Sequence, residues 1–242
     1  MEEALEFYAR NGYLVVPEAL SAAEVRDINA AIDRDLVENR AQWQDHGNGR
    51  RQSVHALLAQ PALDVTMRPP RLLPLLEAIL GDELCADEHS VMIRQGDPPA
   101  LECHWHRDTA SVGPPPYFTH SLSVVFYLTD VEETGHTFSV IPGSAQSSEL
   151  RGQDAYDLNT ARHLTGPAGT AILFNAATFH AGCVRATPRE RRTVHIYCGR
   201  RSAPPISNYT IFPRRLWEGQ DAAARQYYSR LNPITHLLRE RF

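Results

Sequence analysis

The sequence lacks the features that identify several classes of protein. It has no run that approaches the roughly 20 consecutive apolar residues of a membrane span. Its N-terminal segment, MEEALEFYARNG, is acidic and amphipathic, which is unlike a signal peptide. The formal net charge is -5 without any block of basic residues, so nucleic acid is not an expected partner. Four irregularly spaced cysteines include no CxxC pair and no evident disulfide framework, which favours a reduced, cytoplasmic protein.

The chain also lacks internal repeats and low-complexity linkers, so a single domain spanning 1–242 is expected. Its first part, about 1–84, has helical patterns. Ser21 followed by Glu24 is the pattern of a capping box, and apolar residues at helical spacing continue from there. The segment PPRLLPLLEAILGD predicts a second helix that ends at Gly81. Between the two helices, the polar segment QDHGNGRRQ predicts a mobile loop.

Short strand patterns dominate from about 85 to 200. The segments SVMIRQ, LECHWHRD, SLSVVFYL, TFSVIPG, GTAILFN and RTVHIYCG are each bounded by Gly, Pro or polar clusters. Turns rather than helical crossovers join them, which predicts antiparallel sheets in a sandwich or jelly roll. The last part, about 201–242, predicts a wrap over this core, with a helix near DAAARQYYSRL.

Two histidines and one carboxylate lie close together in the segment CHWHRDT. Alternate side chains of a β-strand share a face, so a strand here turns His104, His106 and Asp108 to one side. His180 is the best candidate for a further ligand, because it follows the apolar strand TAILF at the edge of a sheet. Two histidines and one carboxylate leave coordination positions open and suit non-haem Fe(II) oxygenases. An H-x-D pattern alone is common and often has no function, so a second feature is needed.

The second feature is the segment RATPRERRTVHIYCG. Its alternation turns an apolar set to one face of a strand and four polar side chains to the other: Arg191, Thr193, His195 and Tyr197. A polar inward face of a β-barrel lines a cavity, where an arginine can hold a carboxylate through a charge-assisted pair. A shift of the strand register by one residue would turn Arg192 rather than Arg191 toward the carboxylate. Without such a shift, Arg192 is expected to be a solvated turn residue.

In this order, the motifs resemble the phytanoyl-CoA dioxygenase (PhyH) family of Fe(II)- and 2-oxoglutarate-dependent oxygenases. FYARNGYLVVPEALSAAEV is similar to the opening of that family, and LLEAILGDEL resembles its helix before the first core strand. WHRD looks like the metal strand, and SVIPGS resembles a recurring strand-turn after it. GTAILFNAATFHAG looks like the strand that carries the distal histidine.

The resemblance implies a mainly β fold with flanking helices, in which N-terminal helices pack on one sheet of a double-stranded β-helix core (a cupin-like jelly roll). It implies that His106, Asp108 and His180 ligate Fe(II). It also implies that Arg191, eleven residues beyond His180, binds the far carboxylate of 2-oxoglutarate. The implied activity oxidises a small-molecule metabolite or natural-product intermediate with O2, by default as a hydroxylation, and releases succinate and CO2.

Two other functions stay open at this point. A cupin-like metal protein would use His104, His106 and His180 without 2-oxoglutarate, and a β-sandwich binding module would have no catalytic role. A small molecule is the expected partner, without nucleic acid or membrane, and the oligomeric state is open. Desaturation, ring closure and epimerisation are further outcomes of the same chemistry. The candidate substrate contacts are His104, Tyr117, Phe118, His195 and Tyr197.

Overall fold

A computed structural model of the chain describes residues 1–97, 103–109, 119–146, 156–207, 209–230 and 233–238. Most of the short strands predicted for the middle of the chain are present. The strands are β1 (Tyr13–Val16), β2 (Gln44–Asp45), β3 (Arg50–Ser53), β4 (Leu84–Arg94), β5 (Ser121–Tyr127), β6 (Thr137–Val140), β7 (Arg162–Leu164), β8 (Ala171–Asn175), β9 (His180–Cys183) and β10 (Arg191–Arg200).

These strands form two antiparallel sheets. The larger sheet has the strand order β1-β8-β5-β10-β4-β3-β2, and the smaller has the order β7-β6-β9. Tyr127 and Phe174 of the larger sheet and Phe138 of the smaller belong to one buried cluster between them. Two antiparallel sheets closed over such a core form a jelly roll, which confirms the predicted fold class.

Helices flank this core. They are α1 (Glu2–Asn11), α2 (Ala22–Glu38), α3 (Ala56–Ala59), α4 (Asp64–Met67), α5 (Leu73–Leu80), α6 (Ala222–Tyr227) and α7 (Pro233–Leu238). Ile28 of α2 and Leu76 of α5 are fully buried in the same cluster as Val194 and Ile196 of β10. The helices therefore cover the face of the larger sheet that points away from the smaller sheet. Among the helices of the described residues, none has the length and apolar character that a membrane span requires.

The capping box and the second helix that were predicted for the first part of the chain are both present. The amide of Glu24 donates to Oγ of Ser21 at 3.3 Å, and the amide of Ser21 donates to Oε2 of Glu24 at 2.6 Å, which completes the capping box. The second helix begins at Leu73, four residues into the predicted segment PPRLLPLLEAILGD, and ends before Gly81. Gly81 has φ 63°, a positive value that glycine adopts without steric cost.

The polar segment 44–53 is not the mobile loop that the sequence predicts. It forms a hairpin of β2 and β3, and β3 pairs with β4 at the edge of the larger sheet. The hairpin reverses at Gly47, Asn48 and Gly49, which all have positive φ. Glycine and asparagine tolerate this conformation, so the polar composition encodes a tight turn. The early strand β1 also lies in a part of the chain for which only helices were predicted.

The C-terminal part returns to the core through a buried ion pair. Nη2 of Arg230 lies 3.3 Å from Oδ2 of Asp87 on β4, and the Asp87 side chain is fully buried. The same carboxylate accepts a hydrogen bond from the amide of Ile206 at 2.7 Å. Asp87 thus fixes two parts of the C-terminal segment, and α6 lies at the position where a helix was predicted.

Candidate metal centre and cofactor pocket

The segment that carries His106 and Asp108 is held in place by backbone hydrogen bonds. His106 and His180 exchange two N–H···O=C bonds, each of 2.9 Å, and the amide of Asp108 donates to the carbonyl of Ala176 at 3.0 Å. A full strand was predicted here, but in its described residues the segment forms only the bridge between His106 and His180. That one bridge brings the H-x-D motif to the start of β9.

Three side chains converge at this bridge. Oδ1 of Asp108 lies 3.5 Å from Nε2 of His106 and 3.6 Å from Nε2 of His180. One ligand atom of each residue lies within 4.8 Å of the others. A metal ion that holds nitrogen and oxygen ligands at about 2.1 Å fits between atoms at these separations. The side chain of His106 is 43% exposed, whereas those of Asp108 and His180 are 11% and 5% exposed. The cluster is therefore open on the side of His106.

Hydrogen bonds fix which atom of each side chain faces the cluster. Nδ1 of His106 lies 3.1 Å from the carbonyl of His104, and Nδ1 of His180 lies 2.9 Å from the carbonyl of Thr178. A carbonyl can only accept, so each Nδ1 carries the proton and each Nε2 is left with a lone pair. The hydroxyl of Tyr197 donates a hydrogen bond of 2.9 Å to Oδ2 of Asp108, which leaves Oδ1 for the metal.

The protonation states also suit metal binding. Burial lowers the pKa of His180, so this imidazole is neutral at neutral pH. Burial works to raise the pKa of Asp108, but His180 and His106 outweigh it and the pKa lies below its usual value. A neutral imidazole and an ionised carboxylate are the forms that ligate metals.

Aromatic rings hold His180 in this orientation. The ring centroids of Phe174 and Phe138 lie 4.6 Å and 5.3 Å from that of His180. On the other side of the bridge, Trp105 stacks on Phe179 with centroids 5.7 Å apart. Trp105 precedes His106 and Phe179 precedes His180. Because both rings are packed in the core, the two histidines have little freedom to move.

His104 does not join the three ligands. It is exposed, and its ring stacks on that of His106 with centroids 5.6 Å apart. Among the described residues, the group that can share one ion consists of His106, Asp108 and His180. This arrangement favours the two-histidine, one-carboxylate site over a three-histidine cupin site.

A cavity of about 340 Å³ opens beside His106 and His180. The four polar residues of β10 that were predicted to face a cavity all line it: Arg191, Thr193, His195 and Tyr197. Nε2 of His195 lies 3.1 Å from Oγ1 of Thr193. Burial, followed by the charges of Arg191 and Arg50, lowers the pKa of His195 to about 3, so it is neutral in the cavity. Of the other predicted substrate contacts, His104 also lines the cavity, whereas Tyr117 and Phe118 lie outside the described residues.

Arg191 presents unsatisfied donors to this cavity. Its Nε and Nη1 are buried and have no hydrogen-bond partner among the described residues. A methyl group built on Gly182 would lie 3.5 Å from Nη2 of Arg191, so the guanidinium reaches across to β9, the strand that begins with His180. A buried guanidinium without a partner is costly unless an anion occupies the cavity. The distal carboxylate of 2-oxoglutarate fits this requirement.

The neighbouring arginines point away from the cavity. Nη1 of Arg192 lies 2.7 Å from Oδ1 of Asp33 on α2, and its Nε lies 2.5 Å from Oε1 of Glu190. Arg189 forms an exposed ion pair with Glu132. Both side chains have acidic partners and neither lines the cavity, unlike Arg191.

Two further arginines, which were not predicted as site residues, line the cavity. Arg50 lies on the hairpin that was predicted to be a loop, and Arg94 is the last residue of β4. The dipeptide Asn48-Gly49 before Arg50 is a hairpin signal that could have placed Arg50 on a strand. Which strand it would neighbour depends on long-range pairing.

The structure contains a disulfide where none was predicted. Cys103 and Cys183 are bonded, with their Cα atoms 4.5 Å apart. The antiparallel register that opposes His106 to His180 also brings these two cysteines opposite each other, three residues along each segment. The expectation of a fully reduced chain is wrong for this pair. Cys85 and Cys198 are buried free thiols.

Comparisons with known proteins show what the chain is similar to. Residues 8–193 match the family described as phytanoyl-CoA dioxygenase (PhyH). The chain is 25% identical to L-proline trans-4-hydroxylase from Streptomyces griseoviridis, over 77% of this chain and 81% of that protein. It is 26% identical to ectoine dioxygenase from Stutzerimonas stutzeri strain A1501, over 78% of this chain and 73% of that protein.

A solved structure shares the fold. HygX from Streptomyces hygroscopicus, with nickel, 2-oxoglutarate and hygromycin B bound, superposes with a TM-score of 0.70 and 17% identity. The match covers 85% of this chain and 89% of that one. The family match spans most of the sequence, from α1 to β10, and its range includes Arg191 and the three clustered side chains that could hold a metal ion. The chain therefore belongs to the phytanoyl-CoA dioxygenase family of Fe(II)- and 2-oxoglutarate-dependent dioxygenases.

Proposed function

We propose that this dioxygenase binds Fe(II) through Nε2 of His106, Oδ1 of Asp108 and Nε2 of His180, and binds 2-oxoglutarate with Arg191. Its substrate is a small-molecule metabolite or natural-product intermediate, and the default reaction is hydroxylation. The related proteins named for proline and ectoine support a small polar substrate. A cytoplasmic location also stays a prediction.

Bound Fe(II) and 2-oxoglutarate supply the oxidation of a C–H bond by O2, with release of succinate and CO2. The protein's own residues contribute binding and orientation. The backbone carbonyls of His104 and Thr178 hold the two imidazoles with Nε2 toward the metal. Tyr197 fixes the Asp108 carboxylate, and Arg191 fixes the far end of the 2-oxoglutarate chain.

The observation that carries the proposal is the pairing of an open ligand cluster with a buried, unsatisfied guanidinium in one cavity. The three ligands occupy one side of an ion and leave other positions for a chelating cofactor. The guanidinium of Arg191 is planar, and its donors match the oxygens of a carboxylate. Neither a metal-free binding module nor a three-histidine metal site accounts for both features.

Anaerobic titration of the Fe(II)-loaded protein with 2-oxoglutarate tests the proposal. We expect the weak visible charge-transfer band of the chelate to appear and to saturate. The screen that follows measures succinate release with small-molecule metabolites. Tightly bound Fe(II) without this band would contradict the assignment of the cofactor, and failure to bind Fe(II) would contradict the assignment of the metal site.

A further inference from the structure

Three arginines form a single row across the larger sheet. Arg50 of β3 is the register partner of Arg94 of β4, and Arg94 is the register partner of Arg191 of β10. Register partners of antiparallel strands point to the same face of a sheet, and neighbouring strands lie about 4.8 Å apart. The row therefore spans about 10 Å between the backbones of Arg50 and Arg191. All three side chains line the same cavity as the metal ligands.

Within the described residues, the three arginines of this row have few hydrogen-bond partners. Nη2 of Arg50 donates to Oε1 of Gln52 at 2.6 Å, and Nη1 of Arg94 donates to the carbonyl of Asn48 at 2.8 Å. Nε of Arg50 and Nε of Arg94 are buried and have no hydrogen-bond partner in the described part of the chain, and the same holds for two nitrogens of Arg191. Among the described residues, no carboxylate forms an ion pair with any of the three.

The three charges act on one another. Burial, followed by the charges of Arg191 and Arg50, lowers the pKa of Arg94 to about 10. Arg50 lines the same cavity as His106 and His180, which places its guanidinium beside the proposed metal site. Like charges held together in a partly buried cavity favour the binding of anions there.

One 2-oxoglutarate does not neutralise this row. In the proposed complex, Fe(II), the Asp108 carboxylate and the 2-oxoglutarate dianion together carry one negative charge, against three positive charges on the arginines. Arg191 is the member of the row that reaches β9, so it takes the distal carboxylate of the cofactor. Arg50 lies at the opposite end of the row, two strands away, with a buried donor left over.

We infer that the primary substrate is an anion, and that Arg50 binds its carboxylate or phosphate group beside the metal. This inference rests on the proposed function, because it assigns the second anion of the same cavity. Arg94 lies between the two anions and its charge acts on both. A planar guanidinium with free donors matches the oxygens of either group.

Calorimetric titration with small anions tests this inference. The anaerobic protein is loaded with Fe(II) and saturating 2-oxoglutarate, then titrated with N-acetylglycine, with its neutral analogue N-acetylglycinamide and with inorganic phosphate. We expect at least one anion to bind, and a carboxylate site to prefer N-acetylglycine over its amide by at least tenfold. Preference for phosphate over N-acetylglycine would identify the substrate group as a phosphate.

Variants of neighbouring arginines supply the control. Arg50→Gln should weaken binding of the preferred anion about 10- to 100-fold, as expected for a lost charge-assisted bond. Arg50→Lys keeps the charge without the planar fork, so its loss should be smaller. Arg51→Gln removes a charge from the next position of the same strand, which points to the other face, and should leave the affinity unchanged.

The charge-transfer band of 2-oxoglutarate in the same samples separates the possible failures. An unchanged band in Arg50→Gln shows that the site is folded and that 2-oxoglutarate binds without the Arg50 side chain. If Arg50→Gln weakens 2-oxoglutarate as much as Arg191→Ala does, Arg50 belongs to the cofactor site and the inference is wrong. A wild-type protein that shows the band but binds neither anion would overturn this inference alone, whereas absence of the band would overturn the proposed function itself.

Discussion

The hydroxyl of Tyr197 donates to Oδ2 of Asp108 at 2.9 Å, while Oδ1 of the same carboxylate faces His106 and His180. Tyr197 lies on β10 and shares a face of that strand with Arg191. One strand therefore orients Asp108, a proposed metal ligand, at one point and presents Arg191, the arginine proposed to bind the cofactor, at another. Hydrogen bonds of this kind fix the orientation of ligating carboxylates and affect metal affinity.

Replacement of Tyr197 by phenylalanine should weaken Fe(II) binding about tenfold, because Asp108 loses the bond that turns Oδ1 toward the metal. The affinity for 2-oxoglutarate at saturating Fe(II) should stay close to that of the wild type. Competition with a coloured chelator under anaerobic conditions measures the Fe(II) affinity. Tyr209→Phe is the control, because the Tyr209 side chain is exposed. Unchanged Fe(II) affinity with a raised KM for the substrate would instead indicate that Tyr197 contacts the substrate.

The three clustered ligands should each be required for metal binding. His106→Ala, Asp108→Ala and His180→Ala should each lose tight Fe(II) binding and turnover, because two remaining ligands do not hold the ion. His104→Ala should retain the metal, because His104 is outside the cluster. Metal content after desalting, measured by atomic spectroscopy, checks both statements. Retained iron in His106→Ala together with loss in His104→Ala would reverse the choice of ligand.

Arg191 and Arg192 provide a matched pair for the cofactor. Arg191→Ala should raise the 2-oxoglutarate concentration needed for half-maximal turnover by at least tenfold, because a charge-assisted pair is lost. Arg192→Ala removes a surface ion pair with Asp33 and Glu190, and should change this concentration less than twofold. Steady-state succinate release at varied 2-oxoglutarate measures both. A larger effect in Arg192→Ala would mean that the strand is out of register by one residue.

The Cys103–Cys183 bond closes a chain segment with a sequence separation of 80 residues. Its loss in Cys103→Ser should reduce the free energy of unfolding by about 2 to 4 kcal/mol, because a long loop is no longer constrained in the unfolded chain. Urea denaturation with and without reductant measures the change. Reductant should destabilise the wild type and leave the variant unaffected. Equal responses of the two proteins would show that the cysteines are not bonded in solution.

Local patterns predicted the parts of the fold that depend on local physics. Alternation along β10 separated Val194 and Ile196, which pack under the helices, from Arg191 and His195, which line the cavity. This works because a strand has a side-chain period of two, whatever its neighbours are. The capping box at Ser21 was equally local, since its two hydrogen bonds lie within one turn of chain.

Features that depend on which strands become neighbours were not predictable. Arg50 enters the cavity only because β3 pairs with β4, and polar composition alone indicated a loop. Cys103 and Cys183 meet only because the H-x-D segment pairs with the start of β9. Both outcomes depend on which distant segments pair. The spacing of residues along a single sequence does not determine this pairing.

His89 on β4 makes the stability of the fold depend on pH. Its side chain is fully buried, and its Nε2 lies 3.2 Å from Oγ1 of Thr66. Burial lowers the pKa of His89 to about 3, against an ordinary value of 6.5 in the unfolded chain. Above pH 6.5 both states are neutral and the residue has no effect. Below pH 6.5 only the unfolded chain takes up the proton, so stability falls as the pH falls, down to about pH 3.

Comparison of the wild type with His89→Gln isolates this contribution, because other titrating groups are common to both proteins. Glutamine retains a hydrogen-bonding group near Thr66 but does not titrate. The two proteins can differ in free energy of unfolding at neutral pH. Below pH 6.5 the wild type should lose about 1.4 kcal/mol relative to the variant for each pH unit. Urea denaturation between about pH 5 and about pH 7 measures it. A difference that stays constant over this range would mean that His89 is protonated in the folded protein as readily as in the unfolded chain.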